Sequence, residues 1–182
     1  CGSEDDVLDR FYQLAKLIHP DHIVRITSDC PVIDPEIIDL IIENHLRSNS
    51  DYTSNTILDS FPDGLDTEIF SFSALEKAWF EAKLSSEREH VTPYIKKHPD
   101  LFAIKSIVSE INYANKRWTL DTDSDFRFLT VLFSNLYNSN PLFGMREILN
   151  LLDEQPSLEI INSNIIRNEG YLKSLKNDDT VN

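Results

Sequence analysis

Hydrophobic residues follow two patterns that alternate along the chain, one typical of helices and the other typical of short strands. Apolar side chains at helical spacing predict helices over residues 7–18, 35–46, 73–82, 126–136, 145–152 and 158–166. Between them, short β-branched stretches predict strands over residues 22–27, 51–55, 67–72, 101–108 and 117–120. Strands that alternate with helices are typical of an α/β sheet with parallel members. We therefore predict an α/β fold with a mostly parallel sheet flanked by helices.

Polar residues mark where several of these helices begin. Asp34 followed by Pro35 is typical of a helix N-terminus, since the carboxylate caps the first turn and the proline fits its first position. Thr122 precedes an acid by three residues and predicts a capping box. By the same reasoning we expect Ser3 to cap the first helix and Ser73 to cap the third.

Composition narrows the classes of function. The chain has 182 residues, with 31 acidic against 17 basic side chains and a net charge of −14. A surface this acidic repels phosphate backbones, so we expect no nucleic-acid partner. No apolar run approaches the roughly 20 residues of a membrane-spanning helix. Two cysteines, Cys1 and Cys30, cannot form a disulfide framework, which favours a reducing compartment and a cytoplasmic location.

Two aspartates follow predicted strands directly. Asp29 comes after the strand at 22–27, and Asp121 comes after the strand at 117–120. In an open α/β sheet, ligands bind outside the carboxyl ends of the strands, so both carboxylates are expected to face one crevice. Two carboxylates completed by substrate phosphates are a typical Mg²⁺ site. Taken singly, each aspartate is more often a turn residue or a helix cap than a metal ligand.

Several segments resemble those of sugar cytidylyltransferases. The chain carries RITSDCPVID at 25–34 and LDTDSDF at 120–126. Further similar segments are GSEDDVLDRF at 2–11, FPDGLDTEIF at 61–70, EREHVTPY at 87–94 and NEGYLKSL at 168–175. Together they resemble the branch typified by the spore-coat polysaccharide biosynthesis protein F, a relative of acylneuraminate and 3-deoxy-manno-octulosonate cytidylyltransferases.

The resemblance implies a fold, a reaction and a set of ligands. The fold would be a GT-A-like nucleotidyltransferase domain. The reaction would be attack by a sugar hydroxyl on the α-phosphate of CTP, which yields a CMP-sugar and pyrophosphate for surface polysaccharide biosynthesis. CTP, an acidic or modified sugar and Mg²⁺ are the implied ligands, and a homodimer is the implied assembly.

The resemblance also assigns residues by position. Asp29 and Asp121 match the family's Mg²⁺ ligands, and Ser3 matches a position near the cytidine. Glu68, Arg88 and His90 lie in segments that by similarity line the sugar side. There Arg88 would pair with a carboxylate and His90 would help to remove the hydroxyl proton. For Arg88 and His90, simple ion pairs on a helix surface are the alternative interpretation.

The N-terminal part of the chain differs from the family pattern. Family members begin with a strand and a phosphate-binding loop, which residues 1–20 do not resemble. We therefore interpret residues 1–138 as the C-terminal part of a nucleotidyltransferase domain, incomplete at the N-terminus. A divergent member that has lost its triphosphate loop is the alternative interpretation. Residues 139–182 would form a helical extension packed on it, with a flexible end. Without groups that position the triphosphate, we expect this chain alone to be inactive.

Two other functions remain open at this point. The acids at 121, 123 and 125 also resemble the metal-binding motif of glycosyltransferases that share a similar sheet. The second alternative is a non-catalytic interaction or dimerisation module, in which the apolar helices at 145–152 and 158–166 serve as the contact surface.

Overall fold

The computed structural model describes Ser3 and residues 5–165, 167 and 169–178. The strands in this part are β1 (His22–Arg25), β2 (Tyr52–Ser54), β3 (Glu68–Ser71) and β4 (Ile104–Ser106). The helices are α1 (Val7–Ile18), α2 (Pro35–Ser48), α3 (Phe72–Glu81), α4 (Ser85–His90), α5 (Pro93–Lys97), α6 (Asp123–Leu136), α7 (Met145–Glu154) and α8 (Glu169–Asp178). A 3₁₀ helix, Pro156–Ile161, lies between α7 and α8.

The sheet is mixed, so the prediction of a mostly parallel sheet is wrong. Its strand order is β1-β3-β2-β4, with β3 antiparallel to both neighbours and β2 parallel to β4. The reason lies in the connection from β2 to β3, which is a loop and not a helix. A loop is enough to return a chain beside its own strand in the antiparallel direction, whereas a parallel neighbour needs a longer crossover.

The strand predicted at 117–120 is reduced to one bridge. Arg117 pairs with Asp63 as an isolated parallel bridge, and the next residues form no strand. The Trp118 amide donates to the Asp63 carbonyl at 2.7 Å, so the loop before β3 lies against this segment. Gly64 fits there with a φ of +104°, because a Cβ atom would lie 2.6 Å from the Trp118 carbonyl carbon.

Two of the predicted helix caps are confirmed. The Asp34 carboxylate accepts from the Glu36 amide at 2.8 Å, and Pro35 occupies the first turn of α2. Thr122 and Asp125 form the expected capping box at the start of α6. These caps depend only on residues within one turn, which is why the sequence pattern predicts them.

The other two caps are shifted from the predicted residues. Asp6, not Ser3, caps α1, since its carboxylate accepts from the amide three residues on at 2.9 Å. Ser71, not Ser73, caps α3, which begins directly where β3 ends. In both cases two polar residues compete for the cap, and the start of the helix decides between them.

Two hydrophobic cores lie on opposite faces of the sheet. Neighbouring residues of β3 point to different cores, with Ile69 in one and Phe70 in the other, as side chains of a strand alternate. The first core is formed mainly by α2, α6 and α7 and includes Trp118. The second is formed mainly by α1, α3 and α5. The C-terminal ends of β1, β2 and β4 and the N-terminal end of β3 lie at the same end of the sheet.

The C-terminal part packs onto the first core. Ile148, Leu151 and Leu152 of α7 are buried there, within the chain itself. Of the helix predicted at 158–166, the structure shows the 3₁₀ helix Pro156–Ile161, and residue 166 lies outside the described part. Residues 179–182, predicted to be flexible, also lie outside it. No helix of the described residues is long and apolar enough to cross a membrane.

Candidate functional site

A cavity of about 900 Å³ opens at the end of the sheet where β1 and β2 end and β3 begins. Arg25 and Glu68 lie at its wall from the strands, and the turn after β1 contributes Asp29. The segment before α6 adds Asp121, and the helices α4, α5 and α8 border the remaining sides. Among the described residues, six carboxylates and four basic side chains of Lys and Arg line the cavity.

The two strand-end aspartates line this same cavity. The Leu120 amide donates to the Asp29 carbonyl oxygen at 2.8 Å, and the Thr119 hydroxyl donates to the same oxygen at 3.1 Å. These bonds hold the turn after β1 against the segment that carries Asp121. Asp29 and Asp121 therefore line one cavity, as expected. The strand that was predicted directly before Asp121, however, is absent from the described residues 117–120.

Arg117 forms hydrogen bonds to three carboxylates next to this turn. Its guanidinium donates to Asp63 at 3.0 Å, to Asp121 at 2.5 Å and to Asp125 at 3.0 Å. Burial alone would lower the pKa of Arg117, but its bonds to Asp125 and Asp121 raise the pKa above its usual value. Asp29 and Asp121 both act electrostatically on Asp63, so we call these three the aspartate group.

A second cluster is centred on Glu68, which is buried. Its carboxylate accepts from Arg25 at 2.5 Å, from the Tyr52 hydroxyl at 2.5 Å, from Thr92 at 2.6 Å and from Lys96 at 3.4 Å. Burial alone would raise the pKa of Glu68, but Lys96 and Arg25, helped by the two hydroxyls, lower it to about 2. The carboxylate therefore stays ionised and orients both cations.

His90 ends α4 and lines the cavity beside this cluster. Burial lowers its pKa, and although Glu89 acts in the other direction, Arg25 and Lys96 lower it further. At neutral pH the imidazole is thus uncharged and able to accept a proton. We call Glu68, Arg25, Lys96 and His90 the Glu68 group.

Arg88 and Ser3 do not line the cavity. The Arg88 guanidinium donates to both carboxylate oxygens of Asp6, with its shortest bond at 2.6 Å, and to the Trp79 carbonyl at 2.8 Å. It thus ties α4 to the start of α1. Arg88 and His90 are two positions apart, and residues at that spacing do not share a helix face. Ser3 is exposed before α1 and accepts from a neighbouring amide at 3.2 Å.

Sequence reasoning missed three basic residues of the site: Arg25, Lys96 and Arg117. The sequence does contain a signal for Arg25, because Arg25 and Glu68 are both charged residues within apolar, β-branched strands. Such residues pair across neighbouring strands. For Lys96 no local pattern marks the role, since Glu68 lies 28 positions away. Arg117 has an acid four positions on, in Asp121, but its contact with Asp63 spans 54 positions and has no local signal.

The donor set of the aspartate group fits a hard divalent cation. No group of three or more His, Cys, Asp or Glu side chains among the described residues is arranged to hold a metal by itself. Mg²⁺ commonly binds one or two carboxylates and takes its other ligands from water and phosphates. Carboxylates outnumber Lys and Arg side chains in the cavity lining, so a cation is favoured there and would offset part of the charge of a phosphate ligand.

Comparisons with known proteins agree with this chemistry. A family model described as cytidylyltransferase matches residues 1–153. An uncharacterized protein of Methanocaldococcus jannaschii, MJ1063, is 43% identical over 175 residues, which cover 93% of this chain and 68% of the relative. The spore coat polysaccharide biosynthesis protein SpsF of Bacillus subtilis is 32% identical over 158 residues, covering 85% of this chain and 64% of that protein.

One solved structure is similar over most of the chain. It is that of a cytidylyltransferase from Leptospira borgpetersenii, with a TM-score of 0.83 and 31% sequence identity. The similarity covers 91% of this chain and 69% of the Leptospira chain. The fold is therefore a cytidylyltransferase-like α/β fold with a small mixed sheet. The chain therefore belongs to the cytidylyltransferase family of nucleotidyltransferases.

Proposed function

We propose that this chain is part of the site that transfers the cytidylyl group of CTP to a hydroxyl of an acidic or modified sugar. The supporting observation is that one cavity contains both the aspartate group and the Glu68 group. The first offers carboxylates for a metal ion and its phosphate ligands. The second offers two cations and a neutral imidazole for an acceptor that carries negative charge.

On the nucleotide side, Asp29 and Asp121 would hold Mg²⁺. The ion, when bound, supplies positive charge to the phosphate oxygens as the α-phosphorus is attacked. Arg117 keeps Asp121 in place, because its guanidinium contacts Asp121 and is itself held by Asp63 and Asp125. The protein's contribution on this side is therefore to position and to neutralise charge.

On the acceptor side, Arg25 and Lys96 would bind the anionic group of the sugar. Their shared partner Glu68 cancels one of the two positive charges and leaves the other for the ligand. The sugar hydroxyl then forms a bond to the α-phosphorus while the bond to the bridging oxygen breaks. Pyrophosphate leaves with the electron pair, and the hydroxyl proton passes to His90.

The sequence similarity to SpsF supports a role in the biosynthesis of a surface polysaccharide. The GT-A-like classification of the fold and the homodimer stay predictions. Size-exclusion chromatography with light scattering tests the dimer directly. A monomer at all accessible concentrations would contradict it.

Nucleotide preference tests the proposed function. The complete polypeptide that contains these 182 residues would be heated with CTP, a UDP-sugar or a GDP-sugar, each with Mg²⁺. A ligand that binds only the folded state raises the melting temperature, by an amount that grows with its affinity. We expect CTP to give the largest rise, and pyrophosphate release to follow when a suitable sugar acid is added.

The alternatives predict other results in the same assay. A larger rise with a UDP- or GDP-sugar would favour a glycosyltransferase and contradict the proposal. No rise with any nucleotide would favour a non-catalytic module. Asp123→Asn is a matched control for nucleotide binding, because Asp123 is exposed on the same segment as Asp121 but does not line the cavity.

A further inference from the structure

Helix α8 lies beyond residues 1–153, the part that the family model matches, and yet it forms one wall of the cavity. Tyr171 and Lys173 line the cavity from this helix, together with Glu169 and Gly170 at its start. The Tyr171 ring packs edge-on against the His90 ring, with centroids 5.2 Å apart. This wall therefore lies outside the part that the family model matches, although residues 168–175 resemble the same family branch in sequence.

The segment is fixed at both ends. Before α8, Arg167 donates to the Asp66 carboxylate at 3.1 Å and to the Phe61 carbonyl at 3.3 Å. At its other end, Asp178 accepts from the Ser86 amide at 2.9 Å and from the Ser86 hydroxyl at 2.5 Å, at the start of α4. Both anchors are far apart in the sequence from their partners, so α8 is held across the cavity and against α4.

Ser174 of α8 joins this helix to His90. Its hydroxyl donates to the Glu89 carboxylate at 2.6 Å, and the Gly170 carbonyl is a second acceptor at 3.2 Å. The His90 Nε2 atom lies 3.0 Å from the same hydroxyl oxygen. A serine hydroxyl has one proton to donate, and both oxygens next to it only accept. The oxygen of Ser174 is then left to accept from His90, so Nε2 must carry a proton.

We propose that Ser174 is a positioning residue of the site, which holds neutral His90 as the Nε2–H tautomer and leaves Nδ1 as its proton-accepting atom. This inference rests on the proposed function, because it names the atom that takes the proton of the sugar hydroxyl. That proton moves to Nδ1 as the bond to phosphorus forms, while Nε2–H keeps its hydrogen bond to Ser174. No hydrogen bond to Nδ1 occurs among the described residues.

The surroundings of His90 are consistent with this assignment. Glu89 is the nearest anion, with an oxygen 3.7 Å from Nε2, and it acts on Nε2 directly as well as through Ser174. Arg25, Lys96 and Glu68 act on the ring from the strands and from α5. The carboxylate therefore favours a proton on Nε2, and the two cations disfavour a second proton on the ring.

Nitrogen chemical shifts test the tautomer without any assay of activity. The chain would be prepared with nitrogen-labelled histidines, and long-range proton–nitrogen spectra recorded at about pH 8, above the ordinary histidine pKa of about 6.5. His90→Gln identifies the signals of His90 among the five histidines. We expect Nδ1 to have the shift of an unprotonated ring nitrogen and Nε2 that of a protonated one.

The variants separate a positioning role from a purely structural one. In Ser174→Ala we expect the two nitrogen shifts to move toward each other, as the tautomers mix, whereas Ser174→Thr keeps the hydroxyl and should keep the wild-type shifts. Ser163→Ala is the matched control, because this exposed serine bonds only locally, to the Ile160 carbonyl. It should leave the spectrum of His90 unchanged.

Two results would overturn the inference: a wild-type spectrum of the Nδ1–H tautomer, or His90 shifts in Ser174→Ala identical to the wild type. Neither result depends on nucleotide transfer. A failure of the proposed function would instead appear as no preference for CTP in the melting experiment, with the His90 spectrum unaffected.

Discussion

Arg25 and Glu68 face each other across the antiparallel pair of β1 and β3, and the guanidinium donates a 2.5 Å hydrogen bond to the carboxylate. The pair lies at the cavity wall, and it is largely screened from water, with 18% and 5% of the two side chains exposed. A cross-strand ion pair at such a position is held by the register of the sheet. Lys96 then joins the same carboxylate from α5.

Glu68→Gln is expected to destabilise the chain by about 3 kcal/mol, because removing one partner of a buried ion pair leaves the other charge uncompensated. The free energy of unfolding in urea measures the effect. Glu43→Gln is the control, since Glu43 pairs with Arg47 in an exposed bridge and should change stability by less than about 1 kcal/mol. Equal effects of both substitutions would contradict the role of Glu68.

The pKa of Glu68 also predicts a pH dependence. Because the folded state lowers this pKa from 4.5 to about 2, the contribution of Glu68 to stability is complete above pH 4.5. It is lost as the pH falls toward 2, when the folded carboxylate is protonated. We expect the unfolding free energy of the wild type to decline over this range more steeply than that of Glu68→Gln. Parallel declines would show that Glu68 does not titrate in this way.

Substitution of the proposed metal ligands is expected to reduce transfer strongly. In the complete polypeptide, Asp29→Ala or Asp121→Ala should lower kcat/KM by at least about 100-fold, a loss typical of disturbed metal sites. Both variants should also lose the rise in melting temperature that Mg²⁺ gives in the presence of CTP. Asp123→Ala should retain it, and retention by Asp29→Ala or Asp121→Ala would argue against a shared ion.

Gly64→Ala is expected to destabilise the fold by at least about 2 kcal/mol, because alanine is strained at a positive φ and its Cβ atom would meet backbone. Gly170→Ala is the matched control. Its added Cβ atom meets nothing within 4 Å, and in a helix alanine is favoured over glycine by up to about 1 kcal/mol. Thermal unfolding of both variants checks the contrast, and a stable Gly64→Ala would show that the loop is able to move away from Trp118.

Local patterns in the sequence predict local features of this fold well. Asp34 and Thr122 begin their helices as expected, because a cap depends on residues within one turn. The direction of β3 was not predictable in the same way, since it depends on how the chain returns after the loop that contains Gly64. Strand direction is decided by contacts between distant residues, and the hydrophobic pattern of each strand is the same in both directions.

The same difference between local patterns and distant contacts applies to the residues of the site. Asp29 and Asp121 were assigned by family resemblance and by their place after predicted strands, and the structure brings both to one cavity. Family resemblance assigns Arg88 to the sugar side together with His90, but the two residues face different directions on α4. The contact between Ser174 and His90 spans 84 positions, and no local pattern indicates it.

The close fit of Gly64 against Trp118 has a mechanical consequence. Backbone hydrogen bonds join the loop at Asp63 to the segment at 116–118 on both sides of Arg117, and Arg117 itself bonds to the Asp63 carboxylate. In the described part of the chain, α8 is held on α4 through hydrogen bonds that each involve a side chain. Substitutions in α8 are therefore expected to change this wall of the cavity without disturbing the backbone bonds that hold the aspartate group.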